Sequence, residues 1–230
     1  MATSVPRDGG TGEVIEREAL ALFHAKGYHA TSIRDIAAAA QVVTSTLFHH
    51  FGSKEEILQR IMQRSLAQTI ERVQRADAVD ADPRTRLSAV VTALVLTHTE
   101  LQRESFVNNS ELRSLSPGPA QEVVATRRHL AAMVTRVVAD GCASGAFDVE
   151  RPAEAATAII TMVMAVATWF RPSGPRTAEE IAASYVVFAL RLVGAPPPPA
   201  DPTGAPQTEA EEPAGSVRKS SRSALRVMSQ

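Results

Sequence analysis

The sequence predicts an all-α protein. Apolar residues recur at helical spacing in one segment after another, and these segments are bounded by capping residues, glycine and proline. No stretch shows the strict alternation of a strand. Composition agrees: 44% of residues are hydrophobic but only 4% aromatic, and runs such as Ala37 to Ala40 favour helix. A chain of 230 residues is long enough for one ordinary domain and a smaller one, each with a stable core.

Residues 1–10 are polar and glycine-containing, and are expected to form a disordered arm. A first helix is expected from about Glu13 to Lys26, with Ile15, Ala19, Leu22 and Phe23 on one stripe and Gly27 as its stop. Ser32 stands three residues before Asp35, the spacing of a capping box, and opens a second helix ending near Ala40. A tight turn at Gln41 and Val42 leads to a short third helix over about Thr44 to His50, broken by Phe51-Gly52. Ser53-Lys54-Glu55-Glu56 is a further capping box, and the helix it opens continues past Ile61. Asp82-Pro83 gives a fifth helix its cap and first residue, with Leu87, Val91, Leu94, His98 and Leu101 on one face.

A short helix is expected around Phe106 to Leu115, then a longer one from about Ala120 to Ser144 carrying Val123, Leu130, Met133, Val134, Val137 and Val138. A nearly all-apolar helix is expected from Pro152 to Phe170. The last helix opens at the capping box of Thr177 and Glu180 and ends near Gly194. Residues 195–230 are expected to be a disordered Pro-rich tail, because they hold too little apolar surface to order themselves. The basic residues Arg218, Lys219, Arg222 and Arg226 near its end suit a solvated tail, or a weak contact with phosphates or an acidic partner.

A formal net charge of −1 does not by itself announce a nucleic-acid binder, so local geometry must carry that reading. The second and third helices, joined by a tight turn and preceded by a first, make a helix-turn-helix candidate. In that geometry the later helix enters the major groove. Ser32, Thr44, Ser45 and Thr46 offer short hydroxyls, His49 and His50 offer ring nitrogens, and Lys54 sits at a helix start where a phosphate is favoured. Adjacent His49 and His50 diverge by about 100° around a helix and cannot chelate one metal together.

These residues resemble the TetR repressor family. The segments are Gly27-Tyr28, Thr31-Ser32-Ile33, Ile36-Ala37-Ala38-Ala39-Ala40, and Thr46-Leu47-Phe48-His49-His50-Phe51-Gly52-Ser53-Lys54-Glu55-Glu56, in a single ungapped frame from about Glu13 to Ile61. The resemblance implies a helix-turn-helix DNA-binding domain over 11–57 and a larger helical ligand-binding and dimerisation domain over 58–194. It places Thr46, Phe48 and Lys54 at DNA-backbone positions, and Thr44, Ser45 and His49 near base edges. It also implies a homodimer on double-stranded operator DNA, through the last two apolar helices. Three positions depart from the family pattern. Gln41 stands where a glycine is usual. Val43 replaces a capping serine, so Thr44 is a candidate cap one residue later. Phe48 replaces a frequent tyrosine.

The segments Asn108-Asn109-Ser110-Glu111-Leu112-Arg113 and Trp169-Phe170-Arg171-Pro172-Ser173-Gly174-Pro175 resemble the subgroup that senses fatty-acyl or steroid-derived CoA thioesters. That resemblance implies a small hydrophobic effector, such as an acyl-CoA, and no cofactor. Phe106, Met164 and Trp169 are candidates to line its pocket, with His98 and Asn109 as polar lining and Arg113 or Arg171 for phosphate or thioester oxygens. Each has a plainer reading: Arg113 pairs with Glu111, Trp169 belongs to the core or dimer interface, and His98 is a satisfied core histidine. A multidrug-type regulator of an efflux gene is the alternative function. A helical enzyme or carrier is the other, but no HExxH, G-x-S-x-G or phosphate-binding loop is present. Cys142 is the single cysteine, no apolar run reaches the ~18 residues of a membrane span, and the polar start lacks a signal core. A cytoplasmic protein is expected.

Overall fold

A computed structural model describes residues 10–77 and 82–195. Among them the chain forms α1 (Thr11–Lys26), α2 (Ile33–Ala39), α3 (Thr44–His50), α4 (Lys54–Asp77), α5 (Pro83–Glu100), α6 (Gln102–Glu111), a 3-10 turn (Leu112–Ser114), α7 (Pro117–Ala143), α8 (Pro152–Met164), α9 (Val166–Trp169) and α10 (Ala178–Leu192). The described residues contain no strand. Most of the sequence-encoded punctuation operates as expected, but at Ser53 only half of the box forms: its hydroxyl accepts from the Glu56 amide, while the Glu56 carboxylate accepts from the Gly52 amide. Ser32 and Asp35 close a reciprocal capping box, as do Thr177 and Glu180. The Asp82 carboxylate accepts from the amides of Arg84 and Thr85. Gly27 ends α1 in the left-handed region, with φ +85°.

Two apolar cores share α4. The smaller gathers Ile15, Phe23, Ile36, Leu47, Phe51, Ile57 and Met62, all nearly fully buried, and is completed from outside the helix-turn-helix by Val107, Leu115 and Val123. The larger gathers Leu87, Val91, Leu94, Val134, Val138, Ile159, Val163, Ile181 and Ala189 from α5, α7, α8 and α10. The expected boundary between residues 57 and 58 therefore cuts through one continuous helix. Asp77, at the far end of α4, fastens the larger unit: its carboxylate meets Arg86 at 2.7 Å and Arg136 at 2.7 Å. Burial works to raise the Asp77 pKa, but the two guanidiniums outweigh it and hold the carboxyl below the usual range.

Several expectations are corrected. The helix expected over Pro152 to Phe170 breaks at Ala165. The Asn109 side chain donates to the Met164 carbonyl, while the Thr168 amide turns to the Ala165 carbonyl three residues back. The α-helical ladder is lost at that step. α7 starts at Pro117 rather than near Ala120, because Pro117 can occupy the first helical position. Ala195, assigned to the tail, is buried in the larger core, and its amide bonds to the Leu190 carbonyl at 2.8 Å. The rest of the tail, from residue 196, and residues 1–9 of the arm lie outside the described residues. Residues Pro152–Trp169 have a mean hydropathy of 1.3 and by length and composition alone could cross a membrane, which the sequence reading did not find.

Candidate DNA-recognition surface and ligand cavity

Apolar anchors fix α3 at its centre and at its C-terminal end. Leu47 is fully buried at its centre, and Phe51 leaves the helix in extended conformation and enters the same core. Thr44, Ser45, Phe48, His49 and His50 are then turned outward and exposed, and Thr46 is half-buried. Val43 and Phe48 are large apolar side chains at 66% and 52% exposure. Their solvation has no stabilising purpose in the isolated chain, and it marks this face as a contact surface. Val43 was not among the sequence candidates.

The departures in the turn resolve physically. Gln41 takes the left-handed conformation, φ +55°, that a glycine would take more cheaply. Thr44 does not act as the cap. Val43 holds the N-cap position with no side-chain bond, because its extended backbone (φ −78°, ψ 152°) lets its carbonyl accept from Thr46 and Leu47. Helix entry here is a backbone matter. The Ser32 hydroxyl accepts from the Asp35 amide at 3.1 Å and keeps its own proton for an outside acceptor.

Lys54 has an internal role that the sequence did not disclose. Its Nζ donates to the Tyr28 carbonyl at 2.9 Å and the Thr31 carbonyl at 2.7 Å, and lies 4.1 Å from the Tyr28 ring centroid. Burial there lowers the Lys54 pKa. The ammonium clips the α1–α2 loop to the start of α4, which leaves it one free donor. The loop is also tied to the other unit. Glu111 accepts from the Tyr28 amide at 3.5 Å and from Ser114, and the Ser114 hydroxyl is 3.2 Å from His29 Nε2.

A cavity of about 80 Å³ lies between α4, α5, α6, α7 and α8. Its apolar wall includes Leu66, Leu94, Leu130, Ile160, Val163 and Met164. Its polar side is Ser65, Thr69, His98, Ser105, Asn108, Asn109 and Arg127. His98 is buried, and burial lowers its pKa, so the ring is neutral. With the proton on Nδ1 donated to the Leu94 carbonyl at 2.8 Å, Nε2 is left as an acceptor.

Of the expected ligand residues, His98, Asn109 and Met164 line this cavity. Phe106, Arg113, Trp169 and Arg171 do not. Phe106 is two residues from Asn108, on the far side of α6, and packs edge-on to His24 at 5.1 Å in the smaller core. Arg113 is exposed on the 3-10 turn, and Glu111 is engaged by Ser114 and Tyr28 rather than by Arg113. Trp169 follows the break at Ala165 and is 46% exposed, its ring 6.4 Å from Tyr185. Arg171 is exposed and bonds back to the Phe170 carbonyl at 2.8 Å. Arg127, Ser65 and Thr69 were missed, although each stands on an otherwise apolar stripe: Val123-Arg127-Leu130 on α7, and Met62-Ser65-Leu66-Thr69-Val73 on α4. No group of three or more His, Cys, Asp or Glu able to hold a metal occurs among the described residues.

Comparison with known proteins now decides the family. Residues 15–61 match the model of bacterial regulatory proteins of the tetR family, and residues 80–193 match the tetracyclin repressor-like C-terminal domain. A bacterial regulatory protein of the tetR family from Rhodococcus RHA1 is 32% identical, with a TM-score of 0.78, over 81% of this chain and 98% of that one. The chain belongs to the TetR family. The HTH-type transcriptional repressor KstR2 of Mycobacterium tuberculosis is 28% identical over 183 residues, 78% of this chain and 90% of its own. The structure of AibR in complex with isovaleryl coenzyme A and operator DNA superposes with a TM-score of 0.72 at 25% identity, over 78% of this chain and 97% of AibR. As a TetR-family member the protein is a DNA-binding transcriptional regulator and not an enzyme.

Proposed function

We propose that the protein is a homodimeric, cytoplasmic repressor that releases its operator when a small hydrophobic ligand, of the acyl-CoA thioester class, enters the cavity. The observation that carries this reading is the pairing of an outward-facing α3 with a polar-sided apolar cavity one helix away. Thr44, Ser45 and His49 meet base edges, and Ser32, Thr46 and Phe48 lie along the phosphate backbone, joined by the remaining Lys54 donor.

The apolar face of α9 and α10 supports the dimer. Trp169, Phe188 and Leu192 are 46%, 48% and 38% exposed, and Tyr185 bridges Trp169 and Phe188. A second copy covers this face, and also the open side of α8, of which only a third of Pro152–Trp169 is buried. Two copies then set two α3 helices one DNA turn apart, ~34–36 Å.

The cavity supports a ligand that does mechanical work. At about 80 Å³ it falls well short of the 300–1,000 Å³ usual for ligand pockets. Any acyl chain must push α6 away from α8, and α6 is tied through Glu111 and Ser114 to the loop that Lys54 clips beneath the helix-turn-helix. Ligand affinity that differs between the closed and opened forms is then the coupling free energy. Among the relatives, AibR was solved with isovaleryl coenzyme A and operator DNA, and KstR2 is a ketosteroid transcriptional regulator. Genes of lipid or steroid metabolism are the corresponding targets. Titrating acyl-CoAs of increasing length into the operator complex tests this: release by a thioester supports it, and release only by a planar drug would make the protein a multidrug-type regulator.

A further inference from the structure

The cavity contains more polar chemistry than a simple acyl chain would need. Arg127 reaches it from a stripe position of α7, half-buried, and its Nη2 donates to the Asn108 backbone carbonyl. No carboxylate lies within ion-pair distance of it among the described residues, although Arg60, Arg64, Arg72, Arg86 and Arg136 all have one. Burial lowers its pKa with no charged partner to oppose that. His98, the other titratable group lining the cavity, is neutral, so Arg127 is its cation.

Asn108 supplies a second, independent observation. Its Nδ2 donates to Ser65 Oγ and, at 3.4 Å, to the Met62 carbonyl, while Ser65 Oγ donates to that same carbonyl at 3.2 Å. The amide is thereby oriented, and its Oδ1 is left buried with no hydrogen-bond partner in the described residues. Asn108 is 5% exposed. A buried acceptor without a donor is destabilising, and so, to the extent that it is buried, is a guanidinium without an anion. Both residues line one small cavity.

We infer that the natural effector presents a carboxylate to Arg127 and a hydroxyl or N–H donor to Asn108 Oδ1, with its aliphatic part against Leu94, Ile160, Val163 and Met164. This rests on the cavity being the effector site, and it narrows the effector to an aliphatic acid bearing a neighbouring donor. The carboxylate comes from a free acid, or from the far end of a diacid held by CoA as a monothioester. In either case it meets the guanidinium as a fork-to-fork pair, which an uncharged ester cannot form.

Calorimetry and operator release on the full chain test the inference with hexanoate, 3-hydroxyhexanoate and methyl hexanoate, and with glutaryl-CoA against valeryl-CoA. The acid is expected to bind at least about tenfold more tightly than its methyl ester, as loss of a charged hydrogen bond implies, and the hydroxy acid more tightly again through its added neutral donor. Between the thioesters, preference for glutaryl-CoA identifies the diacid source, and binding of the free acids alone identifies the other. Arg127→Met should abolish preference for the carboxylate while leaving the melting temperature unchanged or higher, because it removes an unpaired cation. Arg127→Lys should restore part of the preference. A lower melting temperature with the preference intact would make Arg127 a structural residue and overturn the inference. Equal binding of acid and ester, equal release by the two thioesters with no response to free acid, or no binding by any probe would also overturn it. Equal release by the thioesters would leave the proposed repressor standing, whereas release by free acid alone would remove the thioester and keep the Arg127 assignment.

Discussion

The two cores of this protein are finished to different degrees. Around the helix-turn-helix, Leu47, Phe51, Ile57 and Leu58 are fully enclosed, Glu16 is matched by Arg60 at 3.0 Å and Arg64 at 3.2 Å, and even Lys54 is drawn inward as a clip. The larger core holds a cavity where it meets α4, lined by a guanidinium without a carboxylate partner and by Asn108, whose amide oxygen has no donor among the described residues. A surface that must fit DNA needs one geometry, whereas a sensor must change geometry when filled. On the proposed function, the core that holds the cavity is the one a ligand would reshape.

Removing the same number of methyl groups from each core should cost the two unequally. Leu47→Ala, in the filled core, should cost about 3–5 kcal/mol, and Leu94→Ala, beside the existing cavity, nearer 2–3 kcal/mol. Urea unfolding measures both, and equal costs would mean the cores do not differ in packing. Lys54→Met is expected to cost about 1–3 kcal/mol by freeing the Tyr28 and Thr31 carbonyls. In operator titrations it should shift the salt slope by less than the one unit expected of a lysine devoted to a phosphate. A full unit's loss of slope with no loss of stability would return Lys54 to the DNA.

The sensor side has a pH signature. His98 has a folded pKa below that of the free side chain, so the unfolded chain binds its proton more readily. Its contribution to stability is complete above about pH 6.5 and is lost as the pH falls through the folded pKa. Melting temperature should therefore drop more steeply from pH 7 to pH 5 in the native protein than in His98→Leu. Parallel curves would show that His98 is not neutral in the cavity. Gln41→Gly is the smallest change: relief of the left-handed φ should offset the entropy of glycine to within about 1 kcal/mol, measured by thermal melting with operator affinity unchanged.

The helix-turn-helix was legible in the sequence because its determinants are local. Capping boxes, Gly27 and the Thr44 to His50 spacing act within a few residues of where they stand. The cavity was only partly legible. His98, Asn109 and Met164, singled out from an apolar face and a resemblance, line it, whereas Phe106 and Trp169 lie elsewhere. Which side of α6 faces inward, and where α8 breaks, depend on packing between distant segments; the break at Ala165 involves Asn109, far away in sequence. Arg127 carried a visible signal that spacing alone could have raised, a cation on an otherwise apolar stripe. Lys54 carried none, because its partners are backbone carbonyls.

The most direct test of the account is a footprint on the DNA flanking the protein's own gene, with native protein and with the Thr44→Ala, Ser45→Ala double variant. The native protein should protect two half-sites about one helical turn apart. The variant should lose that protection, since both hydroxyls offered to base edges are removed together, while its helical circular dichroism stays unchanged. Protection by the variant equal to that of the native protein would contradict recognition through α3.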